Sequence, residues 1–363
     1  MGPQRPADEA GRRPSIATVA AVAGVSPTTV SHALSGSRAV RAETRERVIR
    51  TAAELGYTPN RLASGLRLQR TGVIGLASDR IATTAFAGRI VQGAQEAARE
   101  RDAVLMIVDS EGDAELEARQ LRSLADHRVD GILLARMFHQ EVRRPEALGA
   151  TPVAPVVLVN AVPVDGWPVP AIAPDERGIA TTAVEHLLAA GHRRIAFATT
   201  TDDAPASRGR EAGFHAALAA AGLDGRRALV EHGASDAIGG RSVGRLLLDR
   251  PEWERPTAVF CFNDQMAMGV YQAAAALGLD VPGDCSVLGV DDLDIVAGAL
   301  EPALTTIALP HRELGRWGMT TLLDLIDHAG HAERVASPAT DAPAPLYLRC
   351  ELVERGSVAR PRR

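Results

Sequence analysis

Five polar side chains stand just past apolar runs, or early in the helix behind one, and their types suit the binding of a small polar molecule. Asp79 follows Gly75-Leu76-Ala77-Ser78, Asn160 follows the run 156–159, Asn263 follows 258–262, and Asp291 follows 286–290. Arg210 lies in Ser-Arg-Gly-Arg-Glu-Ala-Gly-Phe (207–214), behind the apolar run 195–199. A carboxylate and a guanidinium facing one cleft can each make paired hydrogen bonds to vicinal hydroxyls or to an amide. Any one of these residues could equally be a loop residue capping a helix, and Asp264 and Asp292 are read that way. A second set lies near the N-terminus. Ser26, Pro27, Thr28, Thr29, Ser31 and His32 form a short, polar stretch rich in hydrogen-bonding groups, the kind that reaches base edges in a DNA groove.

Other chemistry is excluded by composition. All 40 basic residues are arginine, so a Walker A loop, a Schiff-base lysine and a lysine general base are absent. No G-x-G-x-x-G, G-x-S-x-G or H-E-x-x-H occurs, and the ten histidines are scattered, so no catalytic residue, metal site or cofactor is expected. His192, between a helix and a strand, is assigned to packing or capping. Cys261, Cys285 and Cys350 are far apart and are read as structural thiols in a reducing compartment.

The polar N-terminal set needs a scaffold, and the flanking residues predict one. Ile16, Val19, Ala20 and Ala23 fall on one helical face, with Ser15 as N-cap and Gly24 as terminator. Ser26 caps the next helix, Pro27 takes its first position, and Val30, Ala33 and Leu34 face inward. A third helix runs from about Ala42 to Leu55, burying Val48, Ala52 and Leu55 and leaving Arg45, Arg47 and Arg50 for phosphates. Charge is segregated to match. Residues 1–70 hold 11 arginines and 5 acidic residues, the remainder 29 and 40. A basic head on an acidic body is an electrostatic footprint for nucleic acid.

Beyond residue 72 short apolar runs alternate with helical segments, which predicts right-handed βαβ units and doubly wound sheets. Runs begin at 72, 104, 131 and 156, with helices near 85–100 and 115–127; a second set begins at 195, 228, 258 and 286, with helices near 207–221, 238–250 and 264–277. Two such sets imply two α/β lobes. Ligands in open α/β sheets bind beyond the carboxyl ends of the strands, where Asp79, Asn160, Asn263 and Asp291 fall.

The motifs Ala20-x-x-Ala-Gly-Val-Ser-x-x-Thr-Val-Ser31, Thr44-Arg-Glu-Arg-Val48 and Leu55-Gly-Tyr-x-Pro-Asn-Arg-x-Ala63 resemble the LacI/GalR family of bacterial transcription regulators. Residues 185–196, 263–269, 286–292 and 304–307 continue the resemblance through the body, so it covers nearly the whole chain in order. The resemblance implies periplasmic-binding-protein-like lobes joined by three crossovers, the segment from Leu304 to about Val353 supplying the last crossover and C-terminal strands. It implies that Arg210 and Asp291 contact an effector, with Asn160, Asn263 and Phe86 at positions that often do. Two departures stand out. Ser235 stands where an aromatic is usual and Ala135-Arg136 where a small polar residue is common. With aromatics at only 3% these departures weaken stacking recognition of a sugar ring, so beside the expected sugar or related polar metabolite stands a polar or acidic molecule with Arg136 as an additional anion contact.

Residues 59–71 start like a helix but are too short to be stable alone. The resemblance implies that this hinge orders against its copy in a second subunit, in the minor groove, with Asn60, Arg61, Ala63 and Leu66 at the DNA and Leu66 as the wedge. The expected organisation is a tail (1–14), a helix-turn-helix domain (15–58), the hinge (59–71), a two-lobed effector-binding and dimerisation domain (72–353) and a C-terminal tail (354–363). The expected protein is a cytoplasmic homodimeric repressor on a pseudo-palindromic operator in double-stranded DNA, controlled by a small-molecule effector, with no signal peptide and no membrane span. The alternative is the same regulator controlled by a protein partner on the N-terminal lobe. A transporter's solute-binding protein and an enzyme on the same lobes fit the head and the motif search poorly.

Overall fold

The computed structural model describes residues 14–35, 39–57, 70–149, 154–225, 228–329 and 344–362. Asn60, Arg61, Ala63 and Leu66 of the expected hinge lie outside the described residues, as do residues 1–13. The chain divides into two compact units at the boundary between Gly72 and Val73.

The first unit holds three helices, α1 (Ile16–Ala23), α2 (Pro27–Ser35) and α3 (Ala42–Glu54). Local chemistry sets their ends. The Thr18 amide donates to Ser15 Oγ at 3.3 Å while the Ser15 amide donates to Thr18 Oγ1, a reciprocal capping box. Gly24 turns the chain at φ +67°, a left-handed conformation cheap only for glycine. Ser26 Oγ accepts from the Thr29 amide at 3.1 Å, with Pro27 as the first helical residue. Val19, Ala20, Ala23, Val30, Ala33, Val48 and Ala52 form the core, with Leu34 and Leu55 packed at its edge. Arg47 differs from expectation. Its Nε donates to the Ala23 carbonyl at 3.1 Å, which fastens α3 to the end of α1.

The second unit is two doubly wound lobes. The N-lobe sheet has the order β11-β5-β4-β3-β1-β2, all parallel, from β1 (Val73–Ser78), β2 (Val104–Asp109), β3 (Gly131–Val142), β4 (Val156–Pro163), β5 (Ala171–Pro174) and β11 (Leu346–Leu348). Helices α4 (Ala87–Glu100) and α11 (His311–Ala329) cover one face and α5 (Ala114–Asp126) the other. The C-lobe sheet has the order β12-β10-β9-β8-β6-β7 and is parallel except for β12. Its strands are β6 (Ile195–Thr200), β7 (Val230–Gly233), β8 (Ala258–Cys261), β9 (Ser286–Asp291), β10 (Thr305–Ala308) and β12 (Glu351–Val353), and its helices are α6 (Glu176–Ala189), α7 (Pro205–Ala220), α8 (Ala237–Leu248), α9 (Asp264–Ala276) and the short α10 (Asp294–Ala297).

The chain crosses between lobes three times, at β5 to α6, β10 to α11 and β11 to β12. Two elements on these paths escape the sequence pattern. β5 is four residues in a proline-rich stretch, and α11 fills part of a segment expected to hold only a crossover and strands. α11 lies close against α4, where a Cβ on Gly93 would fall 1.9 Å from the Arg312 carbonyl oxygen. Residues 354–362 are also no tail. Ser357 is fully buried and donates to the Val287 carbonyl while accepting from the Thr305 amide at 2.8 Å, so the segment is part of the C-lobe. His192 has the structural role expected of it. Its ring nitrogens lie 2.9 Å from Thr257 Oγ1 and 3.0 Å from Ser286 Oγ. Cys261 and Cys285 are buried free thiols and Cys350 is half-buried and free.

Candidate functional site

A cleft of about 1230 Å³ lies between the lobes. Phe86, Asn160, Arg210, Asn263 and Asp291 all line it, as do Asp79, Arg136 and Ser235. Asp264 and Asp292 do not. Sequence reasoning therefore picked groups that converge, but their partners decide what each can offer a ligand.

On the N-lobe wall, Phe86 precedes α4 and stacks on His311, ring centroids 4.3 Å apart and nearly parallel, with Phe138 edge-on at 6.1 Å. His311 opens α11 and is buried; burial, with Arg89 and Arg210 nearby, pushes its pKa down to about 3, so the ring is neutral. Asn160 lies in β4 at φ +54°, which asparagine tolerates, where the register with β3 shifts. Its amide nitrogen donates to the carbonyls of Arg136 (2.9 Å) and Met137 (3.2 Å), leaving the amide oxygen to accept. Asp79 is a buttress. Its carboxylate accepts from the Met137 amide at 2.9 Å and from Gln140 Nε2 at 3.1 Å. Arg136 is not a free anion contact. Its Nη2 donates to Glu117 Oε1 at 2.9 Å, and Nη1 lies 2.8 Å from Oε2 in an ion pair without hydrogen-bond geometry. The pairing offsets the positive charge that Arg136 would bring to an acidic ligand.

On the C-lobe wall, Arg210 is 3% exposed and also paired. Nε donates to Glu176 Oε2 at 2.8 Å, Nη1 donates to the Phe262 carbonyl, and the guanidinium lies 4.5 Å above the Phe262 ring. The second oxygen of Glu176 faces His139 Nδ1 at 3.1 Å. Burial alone would raise the Glu176 carboxyl. The Arg210 charge and the His139 hydrogen bond outweigh it and hold the group below the usual range. Since His139 is on β3 and Glu176 opens α6, this chain of three side chains spans both lobes. Asn263 is largely committed to structure: Oδ1 caps α9 through the Met266 amide (2.7 Å) and Nδ2 donates to the Ser235 carbonyl (2.9 Å).

Asp291 ends β9 at φ +117°, strained backbone for a residue with a side chain, and Asp292 follows at +52°. Burial and the neighbouring Asp264 raise the Asp291 carboxyl well above its ordinary range. Asp264 holds the loop beyond it. The buried carboxyl accepts from the Leu293 amide (2.7 Å) and Thr306 Oγ1 (2.6 Å), and burial raises its pKa to about 7. Asp292 pairs with Arg355 at 2.6 Å. Glu176, His139, His311 and Phe262 escaped the sequence reading. Glu176 lies two residues past β5, so the strand-end rule finds it only once β5 is recognised.

In the first unit, Ser26, Pro27 and Thr28 are exposed, and Thr29, Ser31 and His32 are half-buried. Ser26 and Thr29 hydroxyls lie 2.9 Å apart within the cap, and Thr28 and His32 lie one turn apart on one face of α2. Arg45 and Arg50 on α3 are exposed. Among the described residues no helix is long and apolar enough to cross a membrane, and no group of three acidic, cysteine or histidine side chains is disposed to hold a metal ion.

Residues 15–60 match the model of bacterial regulatory proteins of the lacI family, and residues 184–358 match that of a periplasmic binding protein-like domain. The ribose operon repressor of Escherichia coli K12 is 35% identical over 340 residues, covering 93% of this chain and 98% of that protein. Among solved structures, the lac repressor dimer bound to operator and the anti-inducer ONPF aligns with a TM-score of 0.76 at 28% identity, covering 96% of this chain and all of that one. A complex of the transcriptional regulator CelR with cellobiose aligns with a TM-score of 0.65 at 31% identity, covering 95% of this chain and 100% of that chain.

Proposed function

This chain belongs to the LacI family of bacterial regulatory proteins, DNA-binding transcriptional repressors with an effector-binding domain, and on that premise we propose that it acts as a cytoplasmic homodimer on a pseudo-palindromic operator, under the control of a polyhydroxylated metabolite held between the lobes. The observation that carries the effector assignment is the convergence of Asp291, Arg210 and the Asn160 amide oxygen on one cleft, beneath the stacked Phe86 and His311 rings. Hydroxyl groups are the ligand chemistry that satisfies a carboxylate, an amide oxygen and a guanidinium together. Two of the similar proteins fit this reading by name, a ribose operon repressor and a regulator solved with cellobiose, while others carry the name PurR.

In this reading residues 15–58 read DNA, 59–71 form the hinge, and the lobes bind effector and dimerise. Ser26, Pro27, Thr28, Thr29, Ser31 and His32 are assigned to the major groove, with Thr28 and His32 at base edges, and Asn60, Arg61, Ala63 and Leu66 to the minor groove. Lobe closure changes the spacing of two hinges, so effector and operator affinities are linked, and linkage requires the effect to be reciprocal. Selection of bound genomic fragments tests the assignment. A pseudo-palindromic motif should emerge, with log K falling against log salt at roughly −0.9 per phosphate neutralised. A site bound no more tightly than random duplex at about 150 mM salt, near the physiological range, refutes it.

A further inference from the structure

The two buried arginines of the cleft are already neutralised. Arg210 and Glu176 pair at 2.8 Å with side chains 4% and 5% exposed, and Arg136 and Glu117 pair at 2.8 Å with side chains 9% and 17% exposed. His139 bonds the remaining oxygen of Glu176, so that carboxylate is satisfied on both sides and stays charged. At the rim, Arg208 is shared between Glu141 and Asp203. Asp291 has no such counterpart. Among the described residues it joins no ion pair, and burial together with Asp264 disfavours its charged form, so it offers hydrogen-bonding groups rather than a fixed charge. Arg80, Arg122 and Arg143 border the opening but are exposed, where solvent and salt screen them. The inner cleft is therefore rich in hydrogen-bonding groups and its two buried arginines contribute no net charge.

We propose that Glu176 and Glu117 set the charge selectivity of this cleft: by cancelling Arg210 and Arg136 they make it select a neutral polyol and reject the matching acid. The proposal rests on the reading above that the cleft holds a small molecule. Arg210 Nη2 is used in neither of its protein contacts and can still donate to a hydroxyl. A ligand carboxylate at the same point meets the charged Glu176 as well as the guanidinium. One like charge at about 6 Å, at an effective dielectric of about 20, costs roughly a hundredfold in affinity. No buried arginine among the described residues is left uncancelled to repay this; Arg144, half-buried in the cleft lining, donates to the Gly149 carbonyl.

The test uses the full-length protein and matched pairs: D-ribose with D-ribonate, cellobiose with cellobionate, and D-glucose with D-glucuronate. Thermal shift finds the pair that binds and calorimetry measures both members for wild type, Glu176→Gln and Glu117→Gln. Wild type should bind the neutral member at least about tenfold more tightly than its acid. Glu176→Gln keeps hydrogen-bonding atoms but frees the Arg210 charge, and should move that ratio toward the acid by about tenfold or more. Glu176→Asp should restore it, which loss of packing alone does not predict. Glu117→Gln, at a less buried pair, should shift the ratio in the same direction and decides the matter if Glu176→Gln does not fold. An acid bound as tightly as its neutral partner by wild type, or a ratio unmoved in both glutamine variants, overturns the proposal. If no member of any pair binds wild type or variant, the small-molecule reading itself fails and the selectivity proposal falls with it.

Discussion

Replacing Arg210 would do more than weaken a ligand. Glu176 would be left charged, buried and without its cation, which typically costs about 3–5 kcal/mol of stability. Arg210→Ala should therefore lower the melting temperature even without effector. Asp291→Asn is the sharper probe, because Asp291 has no partner to orphan and its burial already disfavours the charged form. It should cost about 2–3 kcal/mol of ligand affinity with stability and effector-free operator binding retained, as calorimetry and operator titration would read. Unchanged affinity would remove Asp291 from the site. Asp264 offers a pH test. Its pKa rises on folding from about 3.8 to about 7, so the folded state binds the proton more tightly. Its contribution to stability is greatest below pH 4 and is lost as pH rises through 7. Glu176 acts in the opposite sense, its stabilisation being lost as pH falls, so a single profile mixes the two. The difference in unfolding free energy between wild type and Asp264→Asn, measured from pH 4 to 8, should shrink by a few kcal/mol with rising pH. A flat difference would refute the assignment.

At the scale of elements, the proposed DNA contacts divide between α2 and α3. Thr28 and His32 present short hydrogen-bonding groups from one face of α2, whereas Arg45 and Arg50 lie exposed on α3. His32→Ala should change the selected base motif, and Arg50→Ala should weaken binding to all sequences about equally. An unchanged motif from the His32 variant would end its role in base reading. Arg47 belongs to neither group. Its bond to the Ala23 carbonyl satisfies the end of α1, so Arg47→Ala should destabilise the helical unit by about 1–3 kcal/mol. Thermal unfolding followed by circular dichroism checks this directly.

At the scale of the C-terminal unit, two ion pairs clasp the lobes across the cleft. Arg89 on α4 meets Asp294 on α10 at 2.6 Å, and Arg208 on α7 meets Glu141 on β3 at 2.8 Å. All four side chains are substantially exposed, so each pair contributes about 0–1 kcal/mol and salt screens it. They bias closure weakly. Ligand affinity should fall less than about tenfold from low to high salt, and the Arg89→Ala, Arg208→Ala double variant should lose that dependence. Calorimetry at two ionic strengths decides it. The buried chain from His139 through Glu176 to Arg210 is insulated from salt and is the firmer link between the lobes.

Sequence alone determined what depends on near neighbours. Ser15, Gly24, Ser26 and Pro27 mark helix ends through bonds to residues within four positions, and strand-helix alternation sets which polar residues sit at strand ends. That is why the three-helix unit, both lobes and the lining residues Asn160, Arg210, Asn263 and Asp291 were legible, whereas Phe86 came only from the family resemblance. Tertiary structure alone decided the electrostatics. Arg136 reads as an anion contact until Glu117, 19 positions away on another element, is found holding it, and Arg210 likewise until Glu176, 34 positions away, is placed beside it. The return of α11 to the N-lobe and the anchoring of residues 354–362 under β9 and β10 are decided in the same way, by surfaces that meet only after the sheets have formed. Periodicity along a chain records which face of an element is apolar. Which charge cancels which depends on distances across the fold, and no local pattern encodes them.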